Sequence, residues 1–293
     1  MNYSKYFVYS NNCNMCCNSS NNQTISKRDK FGCYYHLQYC IRCHNVFSVI
    51  SLKKERLNEY YDGIANKIKI NKDPRILFHN RVKLNNYAFD RFNFITSTLK
   101  NQIKNNTLIC EIGCSDGANL FPFYVNKFKT IGFDFNSQRI KIGNNNNLNL
   151  FKVNSTEKIF EQISKKSNHK LIYLSHLIEH IIDIYQFFRD LVNSISINDI
   201  LFIETPCIDY ILDYDKKPLR LYPKDKNFLN HLQIEHTYFF QEYQLNNILN
   251  LFGFRKLISN NIYRGLFILQ SKNFPDRDSF REKIIGLKSP SIK

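Results

Sequence analysis

No run of eighteen apolar residues occurs in the chain, which excludes a conventional membrane-spanning helix. The opening stretch, MNYSKYFVYSNNCN, also lacks an apolar signal core, so a cytoplasmic protein is expected. Acid is scarce: 25 Asp and Glu stand against 41 Lys and Arg, a formal net charge of +16. That excess attracts polyanions such as RNA, nucleotide-linked substrates or acidic membrane surfaces. No block of consecutive basic residues accompanies it, so the lysines read as spread over the surface of an Asn-, Lys- and Ile-rich protein. What is present is 43% hydrophobic over 293 residues, enough for one large domain with a sizeable core and a small domain beside it.

Without an export signal, nine cysteines point to metal rather than to disulfides. Cys13-x-x-Cys16 and Cys40-x-x-Cys43 are two knuckles separated by a loop. Each presents two sulfurs on one side of a tight turn, and together they complete a tetrahedral set for structural Zn²⁺. Cys17, Cys33, His36 and His44 are spare candidates, Cys17 as a competitor of Cys16. The polar stretch NSSNNQTISKRDK between the knuckles cannot supply a core, so a zinc-ribbon-like module over 1–60 needs the metal to fold. A helical connector is expected over 61–106, where NNYAFDRFNFITSTLKNQI carries aromatics at helical spacing. Tyr60 and Tyr61 read as interface packing or as residues approaching a substrate.

From residue 107 the pattern changes. TLICEIG, KTIGFDF, NLFKV, LIYLSH and DILFIETP read as strands, alternating with helical stretches near 117–127, 136–143, 155–166 and 183–196. Such alternation implies an α/β, doubly wound, mainly parallel sheet over 107–275, followed by a polar C-terminal tail over 276–293. Ligands bind at the carboxyl ends of these strands. After the first strand come Gly113, Ser115, Asp116 and Gly117; after the second, Asp134 and Phe135; after the third, Asn154 and Ser155; after the fourth, Ser175 and His176. Asp134 suits a ribose diol, and Asn154 with Ser155 an adenine edge. A dinucleotide would use Gly113-x-Ser115-x-x-Ala118, but Asp116 would then repel the pyrophosphate at a helix N-terminus. S-adenosylmethionine brings an ammonium and a sulfonium, beside which Glu111 and Asp116 are tolerable. Asp116 also suits a helix N-cap under either ligand.

Together, CEIGCSDGANL, IGFDF, SHLIEHIIDIYQFFRDL and LFIETP resemble the class I S-adenosylmethionine-dependent methyltransferases over roughly residues 107–271. The resemblance implies a Rossmann-like methyltransferase sheet, a methionine-side loop from Glu111 through Gly117, and Asp134 as the ribose acid. Serine 115 stands where the family often has glycine.

Methyl transfer needs alignment of donor and acceptor and removal of the acceptor's proton, a task suited to histidine. HLIEH supplies His176, at a strand end where it would approach the methyl group, and His180, which reads as a helix residue. Glu179 is misplaced for an H-E-x-x-H motif, so the sequence assigns no metal there. The stretch from 231 to 254 resembles the HEHxxYF motif of zinc-containing deoxysugar C-methyltransferases. Glu235, His236, Tyr238 and Phe239 match; Ile234 stands for the first histidine and Gln233 where a tyrosine is expected. The cysteine module and the Tyr60-Tyr61 pair match too, and a counterpart of those enzymes' C-terminal domain is not expected after the last strands.

This resemblance implies His236 as the general base, with Glu235 orienting it. The plainer reading of His236 is loop-to-helix packing. The expected function is methylation, at carbon or oxygen, of a sugar, nucleotide-sugar or glycan precursor. One alternative is an RNA base methyltransferase, although the fourth strand lacks the Asn/Asp-Pro-Pro-Tyr motif common in amino-group methylation. The other is a non-catalytic zinc-module interaction protein.

Overall fold

The computed structural model describes residues 5–28, 34–64, 74–84, 86–100, 102–208, 212–213, 220–221, 232–260 and 264–287; Cys33, His231 and 288–293 lie outside them. At the N-terminus are β1 (Phe7–Tyr9), β2 (Gln23–Arg28), β3 (Tyr34–Tyr39), β4 (Val46–Ser48) and β5 (Ile50–Leu52). Short helical turns follow at Lys54–Arg56, Leu57–Glu59 and Tyr60–Ile64, then helices α1 (Pro74–His79) and α2 (Tyr87–Leu99).

The main domain alternates as its apolar pattern requires: β6 (Leu108–Ile112), α3 (Phe121–Val125), β7 (Lys129–Asp134), α4 (Ser137–Asn145), β8 (Leu150–Lys152), α5 (Thr156–Ser164), β9 (Lys170–Ser175), α6 (Ile184–Ser194) and β10 (Ile200–Glu204). The two-residue strands β11 (Leu212–Asp213) and β12 (Arg220–Leu221) pair with each other. The chain continues through β13 (Tyr238–Phe239), α7 (Glu242–Leu251), β14 (Phe254–Asn260), β15 (Arg264–Leu269) and α8 (Arg277–Ile285).

Seven strands form the central sheet in the order β14-β15-β10-β9-β6-β7-β8. β8, β7, β6, β9 and β10 run parallel, and β15 lies antiparallel between β10 and β14. Strand order reverses between β6 and β9, which opens a crevice at their carboxyl ends. Both faces of the sheet are covered, so its strands are apolar on both sides. Cys110, Ile112, Ile172 and Leu174 pack toward α5 and α6, while Ile109, Leu171 and Tyr173 pack toward α2 and α3. Helix α6 shows the logic locally: Asp183 caps it by accepting from Gln186 N, and Ile184, Phe187, Phe188, Leu191 and Val192 form its buried face.

The N-terminal module does not complete its own sheet. β2, β3 and β4 are extended by β13, with Tyr238 opposite Phe47 and Phe239 opposite Val46. Tyr35 Oη donates to the His236 carbonyl at 2.9 Å, and Gln244 Nε2 to the Cys43 carbonyl at 3.0 Å. The YF of the histidine motif is thus structural, and it anchors the cysteine module beside the crevice.

Packing behind the crevice leaves no room for a methyl group at Gly143. A Cβ there would lie 2.1 Å from Leu150 Cδ1 and 2.5 Å from the Asp116 carbonyl. Gly143→Ala is expected to cost about 1–3 kcal/mol through overpacking, read as a lower urea midpoint with unchanged slope.

Candidate active site

After β6 the chain makes a turn that only special residues tolerate. Gly113 has φ +73°, Ser115 +54° and Gly117 +73°. A side chain on Gly113 would also strike Leu177, its Cβ 2.9 Å from Cδ1. The left-handed serine is held by its amide, which donates to Asp134 Oδ2 at 2.8 Å. Asn136 N donates to Oδ1 at 2.8 Å. Both carboxylate oxygens are thereby aimed across the ends of β6 and β7. Burial raises the Asp134 pKa, and the backbone donors oppose that shift.

The turn opens on a cavity of about 410 Å³, lined by Tyr61, Gly113, Ser115, Asp134, Phe135 and His176 among others. A second cavity of about 370 Å³ shares Gly113, Ser115 and His176 and adds Arg81, Arg91 and Asn119.

The remaining expected donor residues stand differently. Asp116 is fully buried, its carboxylate paired with Arg81 at 3.0 Å and Arg139 at 3.3 Å, and it accepts from Ala118 N at 3.2 Å. Asp116 is thus an ion-paired turn residue rather than the expected helix cap, since α3 begins only at Phe121 with Leu120 at its cap position. Glu111 lies behind the second cavity, where it accepts from Asn119 Nδ2 at 2.7 Å, and burial pushes its pKa up to about 8. Gly117, Asn154 and Ser155 are not on the main cavity wall, which is formed there by Thr156, Glu157 and Ile159. Ser155 caps α5 by accepting from Lys158 N.

His176, also left-handed at φ +51°, sits at the end of β9. Its Nδ1 is 3.4 Å from Glu179 Oε1 and its Nε2 is 3.4 Å from Glu204 Oε1, with 48% of its side chain open to the cavities. Burial alone would strip its proton, but hydrogen bonding and charge from Glu179 and Glu204 override that and hold its pKa up to about 9. At neutral pH His176 is therefore an imidazolium, a donor rather than a base. The linkage sign follows. An imidazolium raised from 6.5 to about 9 stabilises the fold fully below pH 6.5, and that contribution is lost as pH rises through about 9. His176→Gln is expected to flatten this fall, read from urea midpoints at about pH 6.5 and 9.5.

Glu204 is a buried hub that sequence reading missed. It also accepts from Arg91 and Arg264, which help hold its pKa down against burial. A carboxylate closing an otherwise apolar strand was its one visible signal, and Arg91 read only as part of the helical connector.

The motif histidine lies behind a second one. His236 is buried, in edge-to-face contact with His180 at 4.7 Å between ring centroids, and His180 lines the main cavity. Tyr61 Oη lies 3.3 Å from His180 Nδ1. The Glu235 carboxylate accepts from Tyr60 Oη at 3.0 Å, whereas Glu179 joins the two histidines in one cluster. His180, read as a helix residue, is thus an imidazole facing the site.

The two cysteine knuckles repeat one geometry. Cys17 N bonds the Cys13 carbonyl at 2.7 Å and His44 N the Cys40 carbonyl at 2.8 Å, both residues being left-handed at φ 61°. Cys17 therefore occupies the turn position after its knuckle, with its side chain exposed, and stands outside the buried cluster of Cys13, Cys16, Cys40 and Cys43. His44 bonds Tyr39 Oη through Nδ1 at 2.6 Å, and the ring of His36 lies 2.9 Å from Thr24 Oγ1.

Residues 73–259 match a family model described as "Methyltransferase domain". No curated protein matches the chain. Among solved structures it is similar to a SAM dependent methyltransferase from Archaeoglobus fulgidus, at 18% identity over 62% of this chain and 75% of that one, TM-score 0.45. It is also similar to magnesium protoporphyrin IX methyltransferase from Synechocystis PCC 6803 with bound SAM, at 11% identity over 75% and 99% of the two chains, TM-score 0.46. An O-methyltransferase family protein from Burkholderia thailandensis aligns at 10% identity over 74% and 68%, TM-score 0.49.

Proposed function

The chain belongs to the methyltransferase domain family and is an S-adenosylmethionine-dependent methyltransferase, and on that premise we propose that it methylates a sugar, nucleotide-sugar or glycan precursor at carbon or oxygen, with a histidine taking the acceptor's proton. The observation carrying this reading is His180 on the wall of the cavity that Asp134 and the Gly113 turn also line, with His236 and Glu179 packed behind it.

The donor supplies an activated methyl group on a sulfonium. Asp134 accepts from the ribose hydroxyls with oxygens already oriented by Ser115 N and Asn136 N. Phe135, on the main cavity wall, would flank the adenine, and Arg81 and Arg91, lining the second cavity, would hold the methionine carboxylate. Glu111 and Asp116 support this turn from behind. His176, being cationic, donates to an anionic group of donor or acceptor. His236 takes the acceptor proton together with His180, and Glu235 fixes the motif loop through Tyr60.

Zn²⁺ fits the cysteine cluster. The Cys13–Cys43 and Cys16–Cys40 sulfur pairs are each 3.6 Å apart. Tetrahedral coordination at about 2.3 Å requires sulfur spacings of about 3.8 Å. All four are buried protein sulfurs, a closed and structural arrangement.

The test is transfer of labelled methyl from S-adenosylmethionine to a panel of nucleotide-linked deoxysugars and, separately, to RNA. Label in a sugar supports the reading. Label in RNA alone, with steep salt dependence, supports instead the reading that the +16 charge favours.

A further inference from the structure

The sequence assigns no metal to HLIEH, because its glutamate stands in the wrong place for a helical zinc motif. The fold supplies the missing partner from 56 positions downstream of His180. Glu179, His180 and His236 each offer one ligand atom, and these atoms lie within 4.8 Å of one another. We propose that the three form a second metal site, for a borderline divalent cation such as Zn²⁺, Co²⁺ or Ni²⁺, distinct from the four-cysteine cluster.

Three observations support it. Glu179 and His236 are buried, at 1% and 4% exposure. Glu179 Oε1 is engaged only by His176 Nδ1, at a long 3.4 Å, among the described residues, whereas Oε2 accepts from Thr205 Oγ1 at 2.9 Å. The Thr237 amide donates to the Glu179 carbonyl at 2.7 Å, which ties the histidine loop to the turn carrying the other two ligands. Coordination at about 2.1 Å places tetrahedral donors about 3.4 Å apart, so the three need to close in by little more than about 1 Å. Two imidazoles and one carboxylate select a borderline ion over Mg²⁺ or Ca²⁺. His180 lines the cavity, so the remaining coordination positions face it.

The surroundings make this an exchangeable site. His176 Nδ1, 3.4 Å from Glu179 Oε1, competes with an ion for that oxygen, and the Arg91 and Arg264 guanidiniums around Glu204 add positive charge nearby. Asp134, Glu235 and the Glu179 carboxylate itself offset that charge. The functional consequence rests on the base reading above. An imidazole whose lone pair is held by a metal no longer takes a proton, so occupancy lowers methyl transfer and chelation restores it.

The test reads metal directly. Protein with zinc in the cysteine site is titrated with Co²⁺, and visible absorption is followed. The expected result is one further equivalent, with weak d–d bands and no added thiolate-to-metal charge transfer in the near ultraviolet. Separate His180→Asn and His236→Asn variants should each bind it about tenfold or more weakly. His180 is partly exposed, so that variant guards against a folding failure at buried His236. Each must retain S-adenosylhomocysteine binding as evidence of folding. No second equivalent, or a band undiminished in a folded variant, would overturn the site. Neither readout depends on methyl transfer, so failure here and failure of the acceptor reading are separable.

Discussion

Cys43→Ser is expected to abolish the zinc binding proposed for the four-cysteine cluster and unfold the N-terminal module, leaving the central sheet intact. Cys13, Cys16, Cys40 and Cys43 are buried together, the described polar stretch between the knuckles adds little core, and strands β1, β4 and β5 contain three residues each. Pieces this short do not hold without a staple. Structural zinc in small modules contributes about 10–16 kcal/mol at neutral pH, far more than such strands supply. The loss would spread through specific links: Gln244 to the Cys43 carbonyl, Tyr35 to the His236 carbonyl, β13 to β4, and Tyr60 to Glu235. Elemental analysis should show one zinc fewer per chain, and limited proteolysis should cut within 5–60. Methyl transfer should disappear, while donor binding weakens far less, because the Gly113 turn and Asp134 belong to β6 and β7. A Cys43→Ser protein that resists proteolysis and keeps its zinc would refute this role.

His236→Asn is expected to lower kcat by about 10²–10⁴-fold, the usual contribution of a positioned base, with donor affinity unchanged. His236 is buried behind His180 rather than among the residues on the cavity wall, so its effect should pass through that neighbour. His180→Asn should then reduce kcat comparably, and the double variant should fall little further, since residues acting as one unit are not additive. His176→Gln should behave otherwise. Its proton is already held, so it should change the affinity for an anionic group rather than the pH dependence of proton removal. Steady-state kinetics across pH checks all three. Additive losses at His180 and His236 would mean that the histidines act separately.

The sheet was legible because its strands are continuous apolar runs closed by Gly, Asp or Ser, and a doubly buried parallel strand needs that pattern. The turn and Asp134 were legible because left-handed backbone and a strand-end carboxylate leave local marks. The rest depended on pairings that no local pattern encodes. His176 is cationic only because Glu204, on the neighbouring strand, faces it together with Glu179. His180 reads as a helix residue until His236 packs on it from the far side of the fold. Tyr238 and Phe239 match the methyltransferase motif in sequence, and in the fold they complete the module's sheet. Asn154 and Ser155 follow the correct strand, but β8 ends early and α5 begins at once, so Ser155 becomes a cap.

The central claim is that the cavity at the carboxyl ends of β6, β7 and β9 holds S-adenosylmethionine through Asp134. Calorimetric titration of the zinc-loaded protein with S-adenosylhomocysteine tests it most directly, alongside Asp134→Ala, Asp134→Asn and an NADH control. The account predicts micromolar binding that each substitution weakens by about 1–3 kcal/mol, the cost of a lost hydrogen bond to a charged group. The asparagine variant keeps an acceptor for the turn and guards against its collapse. Absence of binding to folded protein, binding indifferent to Asp134, or NADH binding in its place would contradict it.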